Sequence, residues 1–213
     1  MRMNLPPMPS VPGTRVVGVS GVHAGEMFRS SDCVAEEVPV AMEYNGISHA
    51  VMLATPADLE DFARGFSLTE GIIDAPSDLR DIEVSRSAQG ITLQIGIAPA
   101  CFARLKERRR SLTGRTGCGL CGTDSLADAV RPVAPLRSDA VFQPAAILRA
   151  MQDLRQCQAL LAWTGATHAA AWCRADGAIE LVREDVARHN ALDKLVGAMS
   201  LASRATTTHP DPG

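Results

Sequence analysis

The sequence predicts an α/β fold, a sandwich of helices on a mixed β-sheet. Three observations carry that prediction. Alternating apolar runs flank Asn45-Gly46, Gln89-Gly90 and Asp176-Gly177, which reads as three hairpins. Segments with helical spacing, such as Leu59, Phe62, Ala63 and Phe66, lie between them. The chain has 213 residues, 46% of them hydrophobic, enough to bury one sizeable core.

The elements follow in order. Residues 1–13 are a Pro-rich segment, expected to be a flexible tail, and 14–21 form a β-rich run. Residues 36–54 read as the first hairpin. Residues 55–73 open a helix, with Thr55 as N-cap, Pro56 at the first helical position and Asp58 and Glu60 near its positive end. Strands at 81–87 and 91–97 precede a short helix at 99–110, which ends in the cations Lys106, Arg108, Arg109 and Arg110. A helix over 143–163 places Ile147, Leu148, Met151 and Leu154 on one apolar face. Strands at 165–173 and 178–184 lead to a final helix at 188–202, with Leu192, Leu195, Val196 and Met199 apolar. The organisation expected is a domain over 14–202 with a mobile loop at 111–124, followed by a polar tail at 203–213.

Composition excludes several classes. A net charge of −3 and 4% aromatic residues argue against bulk nucleic-acid binding and base stacking. The first residues lack the apolar region of a signal peptide, and no run approaches the roughly 18 apolar residues of a membrane span. A cytoplasmic protein with no membrane partner is therefore expected. Thiols stay reduced there, so the six cysteines are not a disulfide framework. Cys33, Cys101, Cys157 and Cys173 stand alone and read as small buried hydrophobes.

The chemistry concentrates in "GRTGCGLCG", residues 114–122, where Cys118 and Cys121 sit among four glycines. Zinc would need two further ligands, yet there is no second CxxC and no His-x(3–5)-His. A zinc deaminase would need H-x-E and P-C-x-x-C; His23 to Glu26 has the wrong spacing and Gly117 precedes Cys118. No metal site is therefore expected. A thioredoxin-like dithiol would follow a strand and open a helix, whereas this motif follows a helix and a loop. A carrier thiol needs the mobility that glycine supplies, and a cationic flank of Lys106, Arg108, Arg109, Arg110 and Arg115 would favour its thiolate. The same cations suit phosphate groups on an acceptor, or are a solvated helix end.

"RTGCGLCG" resembles the signature loop of the formate dehydrogenase accessory sulfurtransferase (FdhD) family. "EEVPVAMEYNG", "TPADLEDFARGFSLTEGII", "TGATHAAAW" and "REDVARHNALDKLVG" resemble its other hallmark segments in the same order, from about Glu36 to about Gly197. The resemblance implies a cytidine-deaminase-like α/β sandwich, usually a homodimer. It implies a sulfur carrier required for formate dehydrogenase activity, taking persulfide sulfur from a cysteine desulfurase. The acceptor implied is molybdenum bis(molybdopterin guanine dinucleotide), before that cofactor enters formate dehydrogenase; no permanently bound cofactor is expected. Cys118 matches the persulfide-bearing cysteine and Cys121 its partner thiol. Ala166 and Ala187 stand where the family tends to have glycine, and "SRATTTHPDPG" replaces further strand–helix units, so a C-terminally truncated member is expected.

Arg188, His189 and Asn190 form either a polar wall of the cofactor pocket at a helix N-terminus or a capped, ion-paired surface. Glu184/Arg188, Asp185/His189 and Asn190/Lys194 are each spaced to pair one helical turn apart. His168 faces the same pocket or sits satisfied in the core, and Glu70 orients nearby loops. Arg115, His168, Arg188, His189 and Asn190 are the expected cofactor contacts. The alternative functions are a non-catalytic nucleotide- or partner-binding module with redox-sensitive thiols, and an inactive truncated homologue.

Overall fold

The computed structural model describes residues 11–112, 135, 138 and 140–205. Alternation of apolar and polar residues builds the central sheet. Its strands are β3 (Val38–Tyr44), β4 (Ile47–Ala54), β5 (Leu79–Ser87) and β6 (Gly90–Ile97), in the order β4-β3-β6-β5. β3 pairs parallel with β6, while β3–β4 and β5–β6 are antiparallel, so the sheet is mixed as expected. Val40, Met42 and Tyr44 of β3, and Ile91, Leu93, Ile95 and Ile97 of β6, share one buried face. The first hairpin turns at Asn45-Gly46 as expected, and the second at Ala88-Gln89, one residue before the expected Gln89-Gly90. Asn45 adopts a φ of 47°, and its side chain donates to the Ile97 carbonyl at 3.2 Å and accepts from the Ile97 N–H at 2.9 Å.

Helix α1 (Leu59–Thr69) lays Phe62, Ala63 and Phe66 on that face, and α2 (Pro99–Leu112) adds Cys101 and Leu105. Each such large side chain, fully buried, contributes about 1.5–3 kcal/mol. The helix starts later than the sequence predicts. Asp58, not Thr55, is the N-cap residue, in a left-handed conformation. The reason is that Thr55 is occupied elsewhere: its hydroxyl accepts from the Val186 N–H at 3.1 Å and its own N–H donates to Asp185 at 3.0 Å.

Two further hairpins flank this core. β1 (Thr14–His23) and β2 (Glu26–Ala35) form a long antiparallel pair, in which the second strand has no counterpart in the sequence reading. Glu26–Ala35 is exposed along most of its length, and its polar residues run together at Arg29–Asp32, so it lacks the alternation that marks a half-buried strand. Val11–Gly13 make a turn at its base, with the Gly13 carbonyl accepting from the Glu36 N–H at 2.8 Å. β7 (His168–Cys173) and β8 (Ile179–Asp185) form the other pair, which packs on α5 (Arg188–Ala205).

The helix expected over 143–163 is two helices. α3 (Pro144–Leu154) passes into a 3-10 turn at Arg155–Cys157, and α4 (Ala159–Thr164) follows. The apolar face of α3 is exposed: Ile147, Leu148 and Met151 are 57%, 64% and 65% accessible. α3 attaches by another side, where the Ala146 carbonyl lies against Gly177 and Arg149 approaches Asp176 at 3.9 Å. Periodicity reports that a face is apolar, not which element covers it. Of the lone cysteines, Cys33 and Cys101 are buried as expected, Cys173 is intermediate and Cys157 is exposed.

α1 and α5 cross backbone to backbone. A Cβ on Gly65 would fall on the Asp193 carbonyl, and one on Gly197 on the Asp61 carbonyl. Neither obstacle is the end of a flexible side chain, so the helices themselves would have to part. Gly65→Ala and Gly197→Ala should each lower stability by about 1–3 kcal/mol. Urea denaturation reads this out, and an unchanged midpoint in both variants would show that the crossing is not tight.

Candidate functional site

Cys118, Cys121 and Arg115 lie outside the described residues. The helix preceding them is described: α2 runs through Arg108, Arg109 and Arg110 to Leu112, two residues beyond its expected end. Lys106 places its Nζ 4.8 Å above the Phe102 ring.

The other expected contacts gather where β8 ends and α5 begins. His168 and Asp185 are register partners on β7 and β8, and Arg188 and His189 open α5. His168, Arg188 and His189 are exposed. Asn190 differs: its side chain is 1% accessible and its Nδ2 donates to the Leu53 carbonyl at 2.8 Å and to Asp185 Oδ1 at 3.2 Å. Its amide therefore ties α5 to β4 and β8, and it is His189 and Arg188 that face outward.

The pairings one turn apart are also rearranged. Asp185 bonds Lys194, not His189: the Nζ–Oδ2 distance is 2.7 Å and neither side chain has any exposure. Lys194 also donates to the Thr55 carbonyl at 3.0 Å, and Asp185 Oδ1 accepts from the Ala187 N–H at 2.9 Å. The neighbouring Glu184 turns to the other side. Its carboxylate accepts from the N–H groups of Leu160 at 2.8 Å and Leu161 at 2.9 Å, and from the Thr167 hydroxyl at 2.9 Å. The pairs were expected on a helix, but Glu184 and Asp185 belong to a strand and the helix begins at Arg188. The spacing of four between Asn190 and Lys194 does put both on one face, which is the buried one.

The first turns of α5 also meet the end of α1. The Thr69 hydroxyl donates to Asp193 Oδ1 at 2.8 Å. Burial pushes the Asp193 carboxyl above its ordinary range, and the nearby Glu70 charge adds to the shift, against the Thr69 hydrogen bond and the His189 charge. Beneath them the Tyr44 phenol lies 2.9 Å from the Ser67 hydroxyl, its proton held more tightly chiefly through burial. The His49 ring meets Tyr44 and Phe66 edge-on, at 5.6 and 6.3 Å between centroids. Glu70, expected to orient loops, thus lies at the α1 end of this same group.

Ala166 and Ala187 carry no backbone strain, because the described non-glycine residues with positive φ are Ala24, Asn45 and Asp58. Asp74, Asp78 and Cys101 come together elsewhere, but Arg104 bridges Asp74 at 2.6 Å and the Cys101 sulfur at 3.4 Å, supplying the positive charge there itself.

Two measurements probe this end of the molecule. Lys194→Ala leaves the Asp185 charge buried without its partner and should cost about 3–5 kcal/mol in urea denaturation; a smaller change than 1 kcal/mol would contradict the assigned pairing. Asp193 has a raised value in the folded chain, so the folded state binds its proton more tightly than the unfolded state. Stability from this group therefore falls as pH rises from the unfolded carboxyl value, about 4, through the higher native one. Asp193→Asn cannot ionise, and its amide oxygen still accepts from Thr69. The variant should be more stable than the parent at pH 7 and lose that advantage near pH 3; the reverse order would refute the burial of this carboxyl.

Comparison with known proteins places these observations. Residues 35–209 match the FdhD/NarQ family. The chain is 63% identical over 182 residues to the sulfur carrier protein FdhD of Cupriavidus necator, a match covering 85% of this chain and 63% of that one. It is 54% identical over 207 residues to the sulfur carrier protein FdhD of Variovorax paradoxus, covering 97% of this chain and 74% of the relative. A solved structure from Desulfotalea psychrophila, proposed as a formate dehydrogenase accessory protein, superposes with a TM-score of 0.62 at 23% identity, over 90% of this chain and 68% of that one. That likeness supports the mixed α/β fold. The match thus spans less than two thirds of the Cupriavidus relative. The family match over residues 35–209 includes the CxxC sequence, the α1 segment and the strand-to-helix junction at Glu184–Lys194. The chain belongs to the FdhD/NarQ family.

Proposed function

We propose that the chain is a sulfur carrier serving formate dehydrogenase, with Cys118 as the carrier thiol. The observation that carries this reading is the identity of 54% to the Variovorax sulfur carrier protein across 97% of the chain. The reading is of a sulfurtransferase on a cytidine-deaminase-like scaffold, acting in the cytoplasm as a homodimer. The Cys118 thiolate attacks the terminal sulfur of a persulfide on a cysteine desulfurase. The donor S–S bond breaks, the donor cysteine leaves as thiolate, and Cys118 holds the sulfane sulfur with no net oxidation. The acceptor, as substrate, is molybdenum bis(molybdopterin guanine dinucleotide), and transfer returns Cys118 to a thiolate. Cys121 is the partner thiol in receiving or releasing that sulfur. Its attack on the inner sulfur of the Cys118 persulfide would instead release sulfide and close a Cys118–Cys121 disulfide, so it must be restrained until delivery.

Arg115, His168, Arg188 and His189 are the residues proposed to meet the phosphates and guanine groups of the acceptor. Asn190 contributes by anchoring the first turn of α5. Two lines support the reading: the exposure of Arg188 and His189 at the start of α5, and their position in the matched strand-to-helix junction.

Incubation with a cysteine desulfurase and cysteine should add a reductant-labile mass of about 32 Da, one sulfur atom, to Cys118. Cys118→Ala should abolish both the adduct and the restoration of formate dehydrogenase activity in a host lacking its own carrier. Retention of both in that variant would refute the role of Cys118.

A further inference from the structure

We propose that Glu184 is a positioning residue that sets His168 for ligand contact by clamping both ends of the 159–167 segment to β8. The proposal rests on the reading of His168 as an acceptor-binding residue. Its basis is geometric. Glu184 is 7% accessible, and its two oxygens accept three hydrogen bonds. Two come from the N–H groups of Leu160 and Leu161, which open α4 and have no partner within the helix. The third comes from Thr167, itself 7% accessible, on the far side of the turn at Gly165. One carboxylate therefore holds the entry of α4 and the residue immediately before His168.

The placement matters because α4 is too short to hold itself. It has six residues, ends at Gly165 in a left-handed conformation, and buries only Leu160. A helix of that length is not stable alone. Three hydrogen bonds to one ionised group, each stronger than a neutral bond, give the segment a fixed seat. His168 leaves that seat as the first residue of β7, exposed, with Asp185 as its register partner. Asp185 in turn seats the first turn of α5 through Ala187 and Asn190. The adjacent carboxylates thus divide the work: Glu184 aims the 159–168 segment, and Asp185 aims the segment carrying Arg188 and His189. Glu184→Gln keeps one acceptor oxygen but turns an amide group toward the N–H donors, so it loosens the clamp without a large change of volume.

Guanosine diphosphate, which carries the guanine and diphosphate of the proposed acceptor, serves as probe for calorimetric titration of the full chain. Glu184→Gln should weaken its binding about tenfold, the loss expected from one misplaced charged hydrogen bond. Amide hydrogen exchange at Leu160 and Leu161, whose N–H groups Glu184 accepts from, should accelerate in the same variant, while exchange in β3 and β6 stays unchanged. Thr167→Val should weaken binding in the same direction, and Thr167→Ser should restore it. If Glu184 acts through His168, His168→Ala and the Glu184→Gln/His168→Ala double variant should bind equally well. An equal additional loss in the His168→Ala background would overturn the proposal, as would unchanged binding in Glu184→Gln with accelerated exchange. A parent chain that does not bind the nucleotide would overturn the reading of His168 and the proposal together, which separates that failure from the first two.

Discussion

A lysine ammonium and a carboxylate, 2.7 Å apart and sealed from solvent, hold β8 and α5 against the approach to α1. Burying either charge alone costs several kcal/mol, so each constrains where the other must sit. Lys194 reaches from α5 to the Thr55 carbonyl, and Asp185 accepts from the Thr55 N–H. Asn190 adds the end of β4 through the Leu53 carbonyl. β4, the approach to α1, β8 and α5 are thereby joined at one point. The late start of α1 follows from the same bonds, because they occupy the residue that would otherwise cap it.

The pair works together with the crossing of α1 and α5. Gly65 and Gly197 let the two backbones approach, and the charged network sets the helices' position along that contact. As a consequence, α5 meets Thr69 and Glu70 through Asp193, with Arg188 and His189 exposed one turn earlier. The junction that carries the expected acceptor contacts is thus a product of buried polar bonding. An apolar core alone, being non-directional, would not fix those side chains to one side.

The central hairpins were legible in the sequence because their signals are local. Asn45-Gly46 fits a tight turn, Gln89-Gly90 marks the second to within one residue, and β3 and β6 alternate apolar and polar residues. The helices at 59–69 and 188–205 were legible from periodicity and misread at their ends. β2 was missed because it is largely solvated and has no apolar alternation to detect. The apolar face of α3 was legible from its period, but its exposure was not, because periodicity does not say which element covers a face. At the site, the resemblance of residues 183–197 singled out Arg188, His189 and Asn190 together, but burial separates them. Glu184 and Lys194 were seen only as members of surface pairs, since spacing alone cannot distinguish a solvated ion pair from a buried one.

The sequence by itself determined the mixed α/β class, the positions of the turns and the family, because turn chemistry, periodicity and the order of motifs are properties of short stretches of chain. Tertiary structure alone decided that Lys194 answers Asp185, that Thr55 serves a network instead of a helix cap, and that Glu184 holds the segment before His168. These partners lie 9, 130 and 17 or more residues apart in the chain. Their choice depends on which polar groups folding removes from water together, and a carboxylate so enclosed must take whatever donors the packed backbone presents.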